Sequence, residues 1–369
     1  GTFTNCNNLT EIIIPDSVTS IGDYAFNLCY GLEEIVIPDS VTSIGGRAFS
    51  YCSGLTSVTI GDNVTSIKTS SFNNCANLKS ITLGSGVTSI GDSAFTNCIS
   101  LTEIVIPDSV TSIGERAFRD CFSLETITIG SGLNFIGYRA FTSNSKLNTI
   151  TISENNTTYD SRDNCNAIIK TSTNELVLGC KNTIIPNTVT SIGYYSFAEC
   201  SSLTEIVIPN SVTSIADYAF YKCSGVTEIV IPDSVTSIGS VALKTFADLH
   251  TIIVGENNKV YDSRDNCNAI IETETNNLIC GSKNTIIPDS VTSIGDSAFY
   301  NCISLTEIVI PDSVKIIDGY AFCKCSGLTS VIIGSGVNSV EDSAFKNCVK
   351  LSSITCKPII APTLPPWYL

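Results

Sequence analysis

A fixed period constrains this chain more than any other feature. Leucine recurs at Leu9, Leu32, Leu55, Leu78, Leu101, Leu124 and Leu147, in steps of 23 residues. Around it runs one template: Leu-x-x-Ile-x-Ile, Pro-Asp-Ser, Val-x-x-Ile-Gly, then Ala-Phe-x-x-Cys. It is clearest in Leu305–Cys325 and recurs almost unchanged from Leu32, Leu101 and Leu203. A repeat of this length predicts a solenoid, because one such unit cannot bury its own apolar face and stacked copies can. Length alone would suggest two or three domains for 369 residues. In a solenoid each coil touches only its neighbours, so one core extends with coil number. The expectation is a single solenoid over residues 1–357, followed by a Pro-rich tail or cap at 358–369.

Within a coil, Leu-x-x-Ile-x-Ile predicts a strand. In the second coil Leu32, Ile35 and Ile37 face inward, and Glu34 and Val36 face out. Pro38-Asp39-Ser40 predicts a turn, since Pro presets φ and Asp and Ser offer acceptors to the backbone. Val41-Thr42-Ser43-Ile44 predicts a second short extended segment on the opposite wall, broken by Gly45. In the first coil Asp23 is placed to cap a short helical turn, Tyr24-Ala25-Phe26. Glycine turns replace Pro-Asp-Ser at Gly84-Ser85-Gly86 and Gly130-Ser131-Gly132.

The period breaks twice, at 154–186 and 256–288. Both stretches contain Tyr-Asp-Ser-Arg-Asp-Asn-Cys-Asn-Ala-Ile-Ile. In the first, Asn166–Ile169 and Glu175–Leu178 flank a polar turn at Thr173-Asn174, the pattern of a β-hairpin. Each insert is read as a hairpin that lengthens one coil. Leu101, Leu203 and Leu305 open near-identical blocks, a larger period of 102 residues that points to duplication of a multi-coil cassette. The tail carries Pro358, Pro362, Pro365 and Pro366. Proline cannot donate to a ladder, so it can end a sheet. Two readings of the tail stay open: a shield over the last sheet edge, with Trp367 packed on the last coil, or a linker. At the other end Gly1-Thr2-Phe3 aligns with the middle of a repeat, which suggests a natural N-terminus further upstream.

Charge and composition narrow the partners. The formal net charge of −15 repels nucleic acid and anionic lipid, and no run of 18 apolar residues is present to span a membrane. Of the 17 cysteines, Cys6, Cys29, Cys52, Cys75, Cys98, Cys121, Cys200, Cys223, Cys302, Cys325 and Cys348 share one repeat position, three residues before the leucine. Cysteine there serves as a small apolar side chain, and free buried thiols are expected rather than bridges.

These residues carry a resemblance. The template Leu-x-x-Ile-x-Ile-Pro-x-x-Val-x-x-Ile-Gly-x-x-Ala-Phe-x-x-Cys, from Phe3 to Cys356, resembles the BspA-like, or Treponema-pallidum-type, leucine-rich repeat. The resemblance implies a leucine-rich-repeat solenoid: a curved right-handed stack of coils, mainly short β-strands with short helical turns and two β-hairpin inserts. It also implies a secreted or surface-anchored bacterial protein and adhesion to host matrix proteins or other cells. The family offers no common catalytic motif to carry over.

The residues themselves point away from catalysis. The single histidine, His250, sits on an outward strand position with no orienting partner for a nucleophilic triad. No metal-binding Cys-x-x-Cys and no phosphate loop occur, and no cofactor is expected. Asp-Ser-Arg-Asp-Asn at 160–164 and 262–266 is the best cation candidate, but an arginine between the acids favours a local ion pair. The strand register puts Glu11, Glu34, Glu103, Glu205, Glu228 and Glu307 on one outward row. Neighbouring carboxylates there would lie about 5 Å apart, near the spacing of a retaining glycosidase pair. Solvation of a long sheet explains the row more simply than catalysis, and contact with a protein ligand is the alternative. Ser57, Ser80, Thr126, Thr149, Thr251, Ser330 and Ser353 fill its other coils. Beside it runs Val36, Val105, Val207, Val230 and Val309, alternating with Thr59, Thr82 and Thr128. The functional expectation is a non-enzymatic binding or adhesion scaffold using this face for a protein or extracellular-matrix partner, with the hairpin inserts as a second surface. The other reading is a passive spacer that presents another domain.

Overall fold

The computed structural model describes residues 1–246 and 249–357. The expected tail at 358–369, with Trp367, lies outside the described residues. The chain divides into two compact units, Gly1–Ile184 and Ile185–Leu369. Each unit is a stack of β-coils of roughly 23 residues, mostly strand with almost no helix.

In the first unit the long strands Glu34–Ile37, Ser57–Ile60, Ser80–Thr82, Glu103–Ile106, Thr126–Ile129 and Thr149–Ile152 form one wall. They pair in parallel at the repeat offset, Glu34 with Ser57 and Ile35 with Val58. Their burial alternates, as in Glu34–Ile37, so Ile35 and Ile37 are buried and Glu34 and Val36 exposed. Short strands from Ser20–Ile21 to Phe135–Ile136 make the second wall, a six-stranded parallel sheet. Threonine suits the start of that wall because its hydroxyl donates to the same residue's carbonyl one coil back, as from Thr88 to Thr65 O at 2.9 Å. The second unit repeats both walls, with long strands Glu228–Ile231, Thr251–Val254, Glu307–Ile310, Ser330–Ile333 and Ser353–Cys356.

The third side of each coil corrects an expectation. Tyr24-Ala25-Phe26 is not a helical turn, for Tyr24 has φ 57° and lies in the left-handed region. Amides along this side donate alternately within the coil and to the next one. Ala25 N donates to Gly22 O at 3.3 Å, and Phe26 N donates to Ala48 O at 2.7 Å. A helix would direct its amides along its own axis, whereas this zigzag sends every second one sideways into a ladder. Asp23 likewise does not cap its own turn; its Oδ1 accepts the Gly46 amide of the following coil at 2.7 Å. Asp62, Asp108 and Asp312 take the amides of Ser85, Ser131 and Ser335 in the same way. Those bonds, with the serine side chains, hold the three carboxyls below the ordinary carboxylate range. Among the described residues only Arg162–Asn164 and Arg264–Asn266 are helical, each a single 3-10 turn.

Inside run ladders of identical residues. Phe26, Phe49, Phe72, Phe95, Phe118 and Phe141 stack nearly parallel with centroids 5.1–5.4 Å apart. The cysteine ladder does more than fill space. Eight of the eleven ladder thiols donate to a phenylalanine carbonyl one coil back, as Cys52 Sγ to Phe26 O at 3.0 Å and Cys98 Sγ to Phe72 O at 3.3 Å. Where cysteine is absent, Asn144 does this work, donating to the Phe118 and Phe141 carbonyls. All seventeen thiols are free, and only Cys6 and Cys356 are exposed; Cys6 is the one ladder cysteine that departs from the buried expectation. Burial pushes the thiols of Cys29, Cys52, Cys75, Cys98, Cys121 and Cys223 up, Cys52 to about 12, so their reactive thiolate is scarce at neutral pH. A thiol reagent added to the native protein is expected to label Cys6 and Cys356 quickly and the other fifteen only on unfolding. Rapid native labelling of all of them, read by intact mass, would contradict the buried ladder.

Candidate interaction face

The inserts fold as antiparallel hairpins, as their pattern predicts. Ile168–Lys170 pairs with Glu175–Leu178, and Ala269–Glu272 with Asn277–Gly281. The Asp-Ser-Arg-Asp-Asn segment repeated in the two inserts forms an ion pair in each. Arg162 grips Asp160 with Nε at 2.8 Å and Nη2 at 2.6 Å, and its Nη1 donates to Asn174 Oδ1 at 2.9 Å, tying the loop to the hairpin tip. Arg264, Asp262 and Asn276 repeat this geometry. Asp160 and Asp262, the first acids of the two candidate cation segments, are thus committed to a guanidinium. Among the described residues no group of three His, Cys, Asp or Glu is arranged to hold a metal ion. His250 is half-buried beside Thr251, its Nδ1 3.3 Å from Oγ1.

The outward strand row exposes Glu11, Glu34, Glu103, Glu205, Glu228 and Glu307. Strand pairing sets Glu34 opposite Ser57, Glu103 opposite Thr126, Glu228 opposite Thr251 and Glu307 opposite Ser330. No paired strands among the described residues place two of these carboxylates opposite each other. Glu11 and Glu205 lie in coils whose corresponding segments are not strands.

Beside that row the second unit carries something the sequence reading caught only in part. Val207, Val230, Ile253, Ile286 and Val309 are exposed large apolar residues, Val207 at 81% and Ile286 at 77%, and half-buried Ile332 continues the row. Val230 stands in register with Ile253, and Val309 with Ile332. In the first unit threonine interrupts the equivalent row at Thr59, Thr82 and Thr128. The template hid the difference, because Ile253 and Ile332 occupy positions where valine or threonine was expected, and Ile286 follows an insert. The segment 283–288 is irregular, and beside it opens a groove of about 530 Å³ lined by Ile286, Glu307, Val309, Ile332 and Lys357. A contiguous apolar row rimmed by charge is the usual mark of a protein contact surface.

Parallel coils with inward leucine and isoleucine and short outward strands define a leucine-rich-repeat protein. A family profile for the BspA-type leucine-rich repeat region matches residues 1–121, 67–172, 168–275 and 271–361, and the chain belongs to that family. No curated protein matches the chain. Among solved structures it resembles a leucine-rich repeat protein from Eubacterium ventriosum at 24% identity, covering 95% of this chain and 91% of that one, with a TM-score of 0.64. It also resembles a leucine-rich cell surface protein from Faecalibacterium prausnitzii at 29% identity, covering 92% and 83%, with a TM-score of 0.53. The pneumococcal vaccine antigen PcpA shares the fold at 19% identity, covering 95% and 88%, with a TM-score of 0.57. Repeat proteins of this kind are generally non-enzymatic scaffolds that bind proteins. No helix among the described residues is long and apolar enough to cross a membrane.

Proposed function

We propose that this protein is an extracellular adhesion scaffold that binds a protein partner through the outward strand face, centred on the apolar row of the second unit. The observation that carries the reading is that row, Val207 to Ile332, exposed beside Glu205, Glu228 and Glu307. Apolar side chains held at fixed spacing on a rigid sheet lose little entropy on docking, and an acidic rail favours a basic rim on the partner. Likeness to a bacterial cell surface protein supports an extracellular setting.

The test is binding to immobilised extracellular-matrix proteins at low and physiological salt. A saturable interaction weakened by salt is expected. Val309→Asp, which buries a charge at the centre of the contact, is expected to weaken it about tenfold or more, and the Glu205→Lys/Glu228→Lys double variant to abolish the salt dependence. Unchanged affinity in both variants would remove the strand face as the site. No saturable partner at all would favour the passive spacer.

A further inference from the structure

The two cassettes differ most where a lysine is buried. Lys244 precedes the second insert, and its side chain is only 7% exposed. It lines a cavity of about 240 Å³ together with Ser240, Leu243, Glu272, Cys280 and Asp296. Positions 102 residues earlier hold Tyr138, Phe141, Thr142, Lys170, Leu178 and Tyr194. Three aromatic rings in the first cassette are thus replaced by serine, leucine and aspartate in the second, while threonine becomes lysine. Of the three only Phe141 is buried, Tyr138 and Tyr194 being exposed, so the exchange of that ring for Leu243 is the loss of bulk beside the lysine, and the new residues bring charge of both signs to the cavity.

Lys244 Nζ donates to the Asp296 backbone carbonyl and lies 3.7 Å from Asp296 Oδ2. An ammonium has three protons to place, and that carboxylate contact is longer than a hydrogen bond. Burial lowers the Lys244 pKa and Asp296 works against the shift. Asp296 is 66% exposed and marks the mouth. Tyr261 reaches the cavity too; its hydroxyl accepts the Ile238 amide at 3.1 Å and keeps a proton to donate. Ile238, Leu243 and Ile279 supply the apolar wall. The volume falls below the roughly 300 Å³ at which pockets for drug-sized molecules begin.

We propose that this cavity is a ligand site for a small zwitterion, a free α-amino acid with an apolar side chain. Its carboxylate meets Lys244 and the Tyr261 hydroxyl, its ammonium meets Asp296 and Glu272, and its side chain lies on Leu243 and Ile279. A plain carboxylate would face Asp296 and Glu272 unscreened, and a plain amine would face Lys244. Only a ligand with both charges satisfies both sides. The site is separate from the strand face, and neither proposal rests on the other.

The test is isothermal titration of the intact protein with L-leucine, 4-methylpentanoate and isoamylamine, followed by the other apolar amino acids. Saturable binding of an amino acid is expected. Removal of its amine or its carboxylate should weaken binding about tenfold or more, as for a lost charged hydrogen bond. Lys244→Thr and Leu243→Phe restore first-cassette residues, and each should cost at least as much with circular dichroism unchanged. A lysine that only ties coils together would change stability in Lys244→Thr, but no ligand would bind the wild type. The proposal is overturned if no apolar amino acid binds at about 10 mM, if the amine-free acid binds as well as leucine, or if Leu243→Phe binds normally.

Discussion

Replacing Phe95 with alanine is expected to destabilise the first unit by about 3–5 kcal/mol, the usual cost of emptying an aromatic site in a core. Phe95 is fully buried. It stacks on Phe72 at 5.4 Å and on Phe118 at 5.1 Å, so one substitution breaks two ring contacts as well as leaving a cavity. Its amide donates to Ala117 O at 2.7 Å and its carbonyl accepts the Cys121 thiol at 3.3 Å. The hole therefore opens beside the backbone ladder that joins three coils. Because each coil is held mainly by its neighbours, unfolding should cease to be a single transition and should begin at this coil. Urea denaturation followed by circular dichroism checks the first point, and hydrogen exchange at Phe72, Phe95 and Phe118 the second. Phe95→Leu keeps most of the volume and should cost much less. Equal midpoints for wild type and Phe95→Ala would mean that the ring ladder adds no stability.

Gly336→Ala should be as damaging for a different reason. A Cβ at Gly336 would lie 1.8 Å from the Asp312 carbonyl oxygen and 2.9 Å from its carbonyl carbon. Both are backbone atoms of the preceding coil's turn, so neither can swing away as a side chain would. The turns must part, and with them the bond from Ser335 N to Asp312 Oδ1 at 2.7 Å. A loss of about 3 kcal/mol is expected, at the upper end of overpacking costs. The damage should be local: Cys348, buried in the wild type, should become labelled by a thiol reagent under native conditions while Cys75 and Cys98 stay protected. A Cβ at Gly86 or Gly132 would lie 2.0 Å from Asp62 O or 2.1 Å from Asp108 O, so the same substitution there transfers the effect to the first unit. Native-like stability and protection in Gly336→Ala would show that the turns can separate at little cost.

These glycines show where the sequence was legible and where it was not. The period and the alternation at Glu34–Ile37 were enough for the walls, the inward residues and the hairpins. Gly45 read as a breaker, by the ordinary expectation that glycine supplies unusual φ. Among the described residues no glycine has positive φ, while Tyr24, Arg47 and Ser70 do. In this chain glycine serves close approach between coils, and left-handed backbone falls to residues that ordinarily avoid it at a cost of about 1–2 kcal/mol each. Local propensity cannot foresee that, because the compensation comes from amides bonded to the next coil, a contact 22 or 23 residues away. The candidate face was half legible for a similar reason. The glutamates and valines stood out in the repeat, but the continuity of Ile253, Ile286 and Ile332 with them is set by how the insert returns the chain to the stack. The Lys244 cavity has no motif at all and emerges only when the cassettes are compared position by position.

The amide that each of these turn aspartates accepts lies one coil ahead, 23 residues away in both Asp23 to Gly46 and Asp312 to Ser335. A coil that carries such an aspartate therefore finishes its successor, and the same fitting recurs along the stack. Length in this protein is quantised. A whole coil can be added or deleted with every ladder re-forming across the seam, whereas one extra residue would misalign the rings, the thiols and the aspartates together. The hairpins mark the exception, stretches whose surplus chain folds out and back so that the count resumes. A gene encoding such a part can lengthen or shorten by recombination between its own repeats, and the products fold in steps of one coil.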